Sequence, residues 1–142
     1  MPEERVDERR GPSLPTRVLI VENEASARDT LRQVAELEGH TADVAAHGGE
    51  ALARFQAGVY DAVITDFLMP GITGLELARI IRRLDPVVAI IMVSGSTLPL
   101  EQVLEEYGIQ FLHKPLDLAQ LREALARGIS RARAARRKDV GK

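Results

Sequence analysis

Four short apolar runs of the sequence each end at polar residues that could do chemistry together. In chain order, these polar residues are Glu22, Asn23 and Glu24, then Asp66, then Ser94, and finally Lys114. Carboxylates brought close together repel one another, so a divalent cation between them is favoured. Because every candidate ligand is an oxygen atom, the predicted cation is Mg²⁺, which usually takes one or two carboxylates with waters and phosphate oxygens.

An aspartate beside such a cation can attack phosphorus and form an aspartyl phosphate, which makes Asp66 the candidate nucleophile. Lys114 and the hydroxyl of Ser94 could then bind the charged phosphoryl oxygens. Gly95, directly after Ser94, leaves room for the phosphoryl group to approach. These residue types therefore predict phosphoryl transfer, provided that folding brings the four segments together.

The chain between these residues alternates between strand and helix patterns. Continuous apolar runs are typical of strands buried on both faces of a sheet. Five strand–helix units in a row predict an α/β fold, a doubly wound parallel sheet between two layers of helices. The polar residues then lie beyond the carboxyl ends of the strands, where open parallel sheets bind ligands. Strands are predicted at 18–21, 41–45, 62–65, 87–93 and 109–112.

Apolar residues at helical spacing predict which faces of the helices are buried. Asp117 is expected to cap the last helix, because its carboxylate can accept from the first free N–H groups. The third helix should turn Leu75, Ala78 and Ile81 inward, with Leu84 as a further candidate. The inner stripe of the last helix is predicted to be Leu118, Leu121, Leu125 and Ile129.

The length of 142 residues suits one globular domain. Residues 1–15 are polar and contain Gly11, Pro12 and Pro15, which predicts a flexible lead-in. The folded domain is expected at 16–130. The basic residues of 131–142 are predicted to form a solvated extension of the last helix.

Composition excludes several classes of protein. The net charge of −2 gives no global field that would recruit nucleic acid or an anionic membrane, so neither is expected as a direct partner. The absence of cysteine excludes disulfides and thiolate metal sites. The charged N-terminus does not form a signal peptide, and no apolar run approaches the ~20 residues that span a bilayer. A cytoplasmic location is therefore predicted.

Four segments in this order resemble the receiver domain of two-component response regulators: VLIVENEASAR, DAVITDFLMPGITGLEL, AIIMVSGS and FLHKPLD. With their helices, they cover about Thr16 to Ile129. The resemblance implies the flavodoxin-like strand order 2-1-3-4-5. It also implies a regulatory domain that assists its own phosphorylation and dephosphorylation without turning over a separate substrate, and so is not an enzyme in the ordinary sense.

The resemblance implies a role for each matching residue of the site. Asp66 matches the phosphoacceptor, and Lys114 matches the lysine that pairs with the phosphoryl group. Glu22 and Asn23 match an acidic pair that helps to bind Mg²⁺. The backbone carbonyl of Leu68 falls where the family offers a further metal ligand.

The resemblance also implies a conformational switch. Ser94 matches a hydroxyl that turns toward the bound phosphoryl group, and Phe111 matches an aromatic side chain that rotates inward with it. Phosphorylation would shift a pre-existing equilibrium and change the surface of the fourth helix, fifth strand and fifth helix. The Lys114–Pro115 bond is expected to be cis. Residues predicted on the switching surface are Leu100, Val103, Leu104 and Leu121 or their neighbours.

The implied partners are other proteins. The phosphoryl donor would be a phosphohistidine on a sensor histidine kinase or on a histidine phosphotransfer protein. The output would be passed to a downstream protein whose identity the sequence does not give. A homodimer through the fourth helix, fifth strand and fifth helix is a further option that the resemblance leaves open.

One residue departs from the family pattern and keeps a second interpretation open. Asn23 is neutral where the family usually has an acid, which predicts weaker Mg²⁺ binding, with Glu22 or Glu24 partly compensating. The alternative function is a binding module with the receiver fold that works without phosphorylation. An aspartyl-phosphate hydrolase is disfavoured, because Leu68 occupies the position where such enzymes carry a second aspartate. The sequence also lacks GxGxxG and GxxxxGK[ST] motifs for nucleotides.

Overall fold

The apolar runs of the sequence form the strands of one parallel sheet in a computed structural model that describes residues 15–95 and 101–140. The strands are β1 (Arg17–Val21), β2 (Thr41–Ala45), β3 (Ala62–Asp66), β4 (Ala89–Ser94) and β5 (Ile109–His113). The helices are α1 (Ala25–Leu37), α2 (Gly48–Arg54), α3 (Gly74–Leu84), α4 (Glu101–Glu106) and α5 (Leu118–Val140). Strand and helix alternate along the chain, as the sequence predicted.

The sheet has the strand order β2-β1-β3-β4-β5, and every neighbouring pair is parallel. This confirms the predicted fold class and the order 2-1-3-4-5. Two apolar clusters lie on opposite faces of the sheet. One packs α2, α3 and α4 against it, and the other packs α1 and α5.

Alternation along β1 explains why its sequence is apolar at consecutive positions. Val18 and Ile20 point into the cluster beneath α1 and α5, while Leu19 and Val21 point into the other cluster. All four side chains are fully buried because helices cover both faces. The edge strand β2 is only partly buried, which accounts for its weaker apolar pattern.

Two leucines predicted on inner helix faces are exposed. Leu84 is the last residue of α3, and Leu118 is the first residue of α5. Away from these two terminal positions the stripe periodicity holds, since Leu77, Ile81 and Leu121 are buried. Periodicity alone therefore does not guarantee burial of the first or last residue of a helix.

Asp117 caps α5 as predicted. Its Oδ1 accepts from the backbone N–H groups of Ala119 (2.9 Å) and Gln120 (3.3 Å). The cap lies two residues after the Lys114–Pro115 peptide, which is cis as expected. Lys114 lies between the end of β5 and the first turn of α5.

The basic C-terminal run continues α5 to Val140, but it is not simply a solvated extension. Ala132 is buried, and Arg133 and Arg136 form ion pairs with Asp61 and Asp85. The prediction of a solvated run was wrong for these inward residues, because the helix passes over the edge of the sheet. Within the described ranges, no helix combines the length and the apolar character that crossing a bilayer requires.

Candidate functional site

The carboxyl ends of the central strands bring the predicted polar residues to one edge of the sheet. Parallel register pairs Val21 with Thr65 and Ser94 with His113, so β1 and β3, and β4 and β5, end at similar heights. Glu22 and Lys114 are the next residues along the chain after β1 and β5. The strand order thus collects side chains that are far apart in sequence.

Lys114 contacts both carboxylates of the site. Its Nζ donates a 3.1 Å hydrogen bond to Oδ2 of Asp66 and lies 3.8 Å from Oε1 of Glu22. Asp66 and Glu22 are only 8% and 3% exposed, whereas the Lys114 side chain is 40% exposed. A single lysine therefore reaches from the surface to two nearly buried carboxylates.

The two carboxylates, Glu22 and Asp66, carry more negative charge than the single Lys114 can neutralise. Burial raises the pKa of the Glu22 carboxyl, and the charge of Asp66 raises it further. A backbone N–H bond from Glu24 and the charge of Lys114 oppose this rise in the Glu22 pKa without cancelling it. Such a site favours an additional cation, because a nearby positive charge stabilises both ionised carboxylates.

The loop after β1 is fixed by its own hydrogen bonds. Oε2 of Glu22 accepts from the backbone N–H of Glu24 at 2.9 Å, and Arg28 Nη1 donates to the Glu22 carbonyl at 2.8 Å. The Glu24 carboxylate accepts from Ala27 N–H at 3.2 Å and from the Ser26 hydroxyl at 2.7 Å, which caps α1. The Glu24 carboxylate is therefore already engaged at the start of α1, which leaves it less free to compensate for the neutral Asn23.

Asn23 and Leu68 lie on the two loops that flank Asp66. Asn23 is exposed between Glu22 and Glu24, and Leu68 follows Asp66 by two residues with its side chain exposed. Within residues 15–95 and 101–140, no three His, Cys, Asp or Glu side chains form a group that could hold a metal ion. Glu22 and Asp66 still fit Mg²⁺, which needs only one or two carboxylates beside other oxygen ligands.

Gly74 supports the position of Asp66 in a way that its sequence context did not reveal. A Cβ at Gly74 would lie 2.2 Å from the Asp66 carbonyl oxygen and 2.9 Å from the Phe67 Cα. The Gly74 N–H also donates to the Phe67 carbonyl at 2.8 Å. Only glycine lets the start of α3 pack this closely against the end of β3. A glycine after the capping Thr73 was the available signal, but it does not identify its neighbour.

Ser94 and Phe111 lie on the same side of the sheet. Ser94 is the buried last residue of β4, two positions after Met92, which is the register partner of Phe111. Phe111 packs against the cluster beneath α2, α3 and α4, and its ring meets the His113 ring edge-on with centroids 4.8 Å apart. The Ser94 carbonyl accepts from Lys114 N–H at 2.9 Å. These contacts connect β4 and β5 beside the site.

Two of the leucines predicted on the switching surface, Leu104 and Leu121, belong to the core. Leu104 and Leu121 are buried in opposite apolar clusters, because α4 and α5 turn their apolar stripes to the sheet. Val103 is half-buried, and Leu100 lies outside the described residues. Among the α4 side chains that the structure describes, the exposed ones are polar, namely Gln102, Glu105 and Glu106.

A cavity of about 500 Å³ opens beside the carboxylates. Glu22, Asp66 and Lys114 line it together with apolar side chains, including Leu31 and Leu116. The three residues on which the sequence interpretation depends therefore share one solvent-connected space. The arrangement can hold an anionic group between a cation and the end of β3.

Comparison of the sequence with known proteins gives one consistent result. Residues 18–126 match the model of the response regulator receiver domain. The chain is 36% identical over 117 residues to the alkaline phosphatase synthesis transcriptional regulatory protein SphR of Synechococcus elongatus. It is 33% identical over 107 residues to the transcriptional regulatory protein TcrA of Mycobacterium tuberculosis. These matches cover 75% and 74% of this chain but 46% and 42% of the relatives, so the chain spans about half their length.

Solved structures agree with the sequence comparison. A CheY-like response regulator receiver domain protein from Methanospirillum hungatei superposes with a TM-score of 0.79 at 26% identity, covering 86% of this chain and 99% of that one. The response regulator TrrA from Thermotoga maritima, in complex with Mg²⁺-BeF, gives a TM-score of 0.71 at 32% identity. That match covers 80% of this chain and 98% of TrrA.

Proposed function

The chain belongs to the response regulator receiver family, and from this premise we propose that it accepts a phosphoryl group on Asp66. The observation that carries the proposal is the position of Lys114, whose Nζ lies 3.1 Å from Asp66 and 3.8 Å from Glu22. The Lys114 ammonium group is close enough to pair with an anionic group attached to Asp66. The cavity beside it gives a donor access from solvent.

The proposed donor is a phosphohistidine on a sensor histidine kinase or a histidine phosphotransfer protein. A carboxylate oxygen of Asp66 attacks phosphorus and the phosphorus–nitrogen bond breaks. The electron pair of that bond leaves on the ring nitrogen, which takes a proton from water, so that the histidine is released as neutral imidazole. Lys114 stabilises the negative charge on the phosphoryl oxygens during transfer. The Asp66 side chain then carries an acyl phosphate, which water later hydrolyses.

We propose Mg²⁺ as the cofactor. Glu22 and Asp66 supply the carboxylates, and the Asn23 amide oxygen and the Leu68 carbonyl are the further candidate ligands. When bound, Mg²⁺ neutralises charge on the phosphoryl group and its donor. The excess of carboxylate over cationic charge at the site supports this assignment.

The proposed output is a change in the surface around α4, β5 and α5. Ser94 would turn toward the phosphoryl group and Phe111 would move inward, since both lie on the same side of neighbouring strands. The altered face would bind a downstream protein or a second copy of the chain. The role is regulatory, without turnover of a separate substrate, and we place it in the cytoplasm with the proposed donor.

Intact mass spectrometry after incubation with acetyl phosphate and Mg²⁺ tests the proposed phosphorylation. We expect one phosphoryl adduct on the wild-type chain and none on Asp66→Asn. Asp29→Asn, which removes an exposed carboxylate on α1, is the matched control and should be modified as the wild type is. An adduct that persists in Asp66→Asn would overturn the assignment of the phosphoacceptor.

A phosphorylation-independent binding module is the second candidate, and the loop after β1 favours it. Asn23 adds no charge there, and one oxygen of Glu22 is already engaged with the Glu24 N–H. Weak Mg²⁺ binding follows from both features. Calorimetric titration should show that Asn23→Asp binds Mg²⁺ roughly 3- to 30-fold more tightly than the wild type, because it adds a charge beside the cation. Wild-type binding as tight as that of Asn23→Asp would remove the idea of an impaired metal site.

A further inference from the structure

The C-terminal end of α5 crosses the edge of the sheet opposite to Asp66. The match to the receiver family ends at residue 126, whereas α5 continues to Val140. Its 23 residues span roughly 35 Å at the rise of an α-helix. The helix therefore runs from the Lys114 loop at one edge to the amino ends of β3 and β4 at the other.

Arg133 forms an ion pair with Asp61, the residue directly before β3. The guanidinium makes a two-point contact, with Nε 3.0 Å from Oδ1 and Nη2 3.2 Å from Oδ2. Nη2 also donates to the Pro15 carbonyl at 3.3 Å, and Asp61 Oδ2 accepts from the Arg17 N–H at 2.9 Å. Asp61 is only 7% exposed. This contact joins the end of α5 to the chain segments that enter β1 and β3.

Arg136 forms an ion pair with Asp85, the residue directly after α3. Its Nη2 lies 2.7 Å from Asp85 Oδ2 and 3.2 Å from the Tyr60 carbonyl. Asp85 is 2% exposed and also accepts from the backbone N–H groups of Gly58, Val87 and Val88 at 3.1, 3.1 and 3.2 Å. Burial alone would raise the pKa of Asp85, but Arg136 and the backbone N–H groups of Gly58 and Val87 hold it below its ordinary value.

Both ion pairs are made from the same face of α5. Positions 133 and 136 are three residues apart, which places both side chains on one side, next to the buried Ala132. Among the described residues of the run, the other cations are Arg131, Arg137 and Lys138, and all three are exposed. The basic segment is therefore divided into an inward pair that meets buried carboxylates and an outward group in solvent.

We propose that residues 131–140 form an intramolecular clasp. This helical segment packs against the edge of the sheet at the amino ends of β3 and β4, and Arg133 and Arg136 make its two contacts. A chain that ended where the family match ends would lack the cation that Asp61 and Asp85 each contact, together with the helical segment that lies over them. The clasp also fixes α5 at the end remote from Asp66. The segment is thus part of the folded unit, and it orients the helix that contributes to the proposed output surface.

Hydrogen exchange of the full-length chain tests the clasp. In Arg133→Gln/Arg136→Gln, the amides of residues 129–138 should exchange at least about tenfold faster than in the wild type, while those of β3 and β4 stay protected. The matched control is Arg131→Gln/Arg137→Gln, which removes the same charge from the exposed side of the same helix. Equal exchange of this segment in the two variants would contradict the clasp.

A mutant cycle tests the contacts themselves. Arg133→Gln should lower the melting temperature by about 5 °C in the wild-type background and by clearly less in Asp61→Asn, because the contact is already lost there. Purely additive effects of the two substitutions would mean that the arginine acts without Asp61 and would overturn this half of the clasp. Each single variant keeps the second contact, Arg136 with Asp85, so the fold is retained for the measurement. Neither experiment depends on phosphorylation.

Discussion

Buried carboxylates at the two edges of the sheet differ in how many cationic partners they have. At the carboxyl edge, Glu22 and Asp66 share one lysine, which is itself 40% exposed. At the amino edge, Asp61 and Asp85 each have an arginine of their own and further backbone N–H donors. One edge keeps an excess of negative charge, whereas the other is balanced.

One carboxylate at each edge shows this contrast in its pKa. Burial raises the pKa of Glu22, and Asp66 adds to the rise. Burial also acts to raise the pKa of Asp85, but Arg136 and backbone donors overcome it and the pKa is lowered. Equal burial therefore gives opposite outcomes, depending on whether the protein supplies enough donors. A site left short of positive charge can bind a cation or respond to a phosphoryl group, while a balanced one holds the fold together.

Removal of a carboxylate at the balanced edge should have the largest effect on stability. We expect Asp85→Asn to lower the free energy of unfolding by about 2–4 kcal/mol, because Arg136 loses its partner and an amide satisfies the backbone donors less well. Urea denaturation measures the change. Asp29→Asn, on the exposed face of α1, serves as the control and should unfold almost as the wild type does. A similar free energy of unfolding for both variants would show that the buried contacts of Asp85 do not stabilise the fold.

Removal of a carboxylate at the unbalanced edge should have a smaller effect of the opposite sign. We expect Asp66→Asn to raise the free energy of unfolding by about 1 kcal/mol in buffer with chelator. The positive charge of Lys114 is then matched by one negative charge, that of Glu22, instead of two. The same urea experiment decides this. If Asp66→Asn were destabilised as Asp85→Asn is, the two edges would not differ and the contrast would fail.

The pH dependence should separate the two edges even where the effects are small. The pKa of Asp85 is lowered in the folded state, so its contribution to stability is present above its ordinary value of 3.8 and is lost as the pH falls below it. The pKa of Glu22 is raised, so its unfavourable contribution grows as the pH rises above 4.5. Glu22→Gln should therefore gain stability over the wild type at pH 7 and not at pH 4, with metal chelated. A gain that is independent of pH would mean that ionisation of Glu22 is not its cause.

Much of the fold could be predicted because its determinants are local. The consecutive apolar residues of β1 and β4 identify buried strands, and the Asp117 cap identifies the start of α5. Residues at strand ends, such as Asp66, could be singled out because parallel strands end at a common edge. The errors at Leu84 and Leu118 have one origin: a helical stripe predicts which face is apolar, but not how much of that face the neighbouring layer covers.

The sequence by itself determined the alternation of strands and helices, the family, and the residue types gathered at the carboxyl edge, since each depends on short segments or on motifs in order. Tertiary structure alone decided the close approach of Gly74 to Asp66 and the pairing of Arg133 with Asp61, 72 residues away. It also decided that Lys114 serves two carboxylates while Asp85 has its own arginine. Charge balance depends on distances through space, and residues far apart along the chain acquire those distances only when the layers have packed.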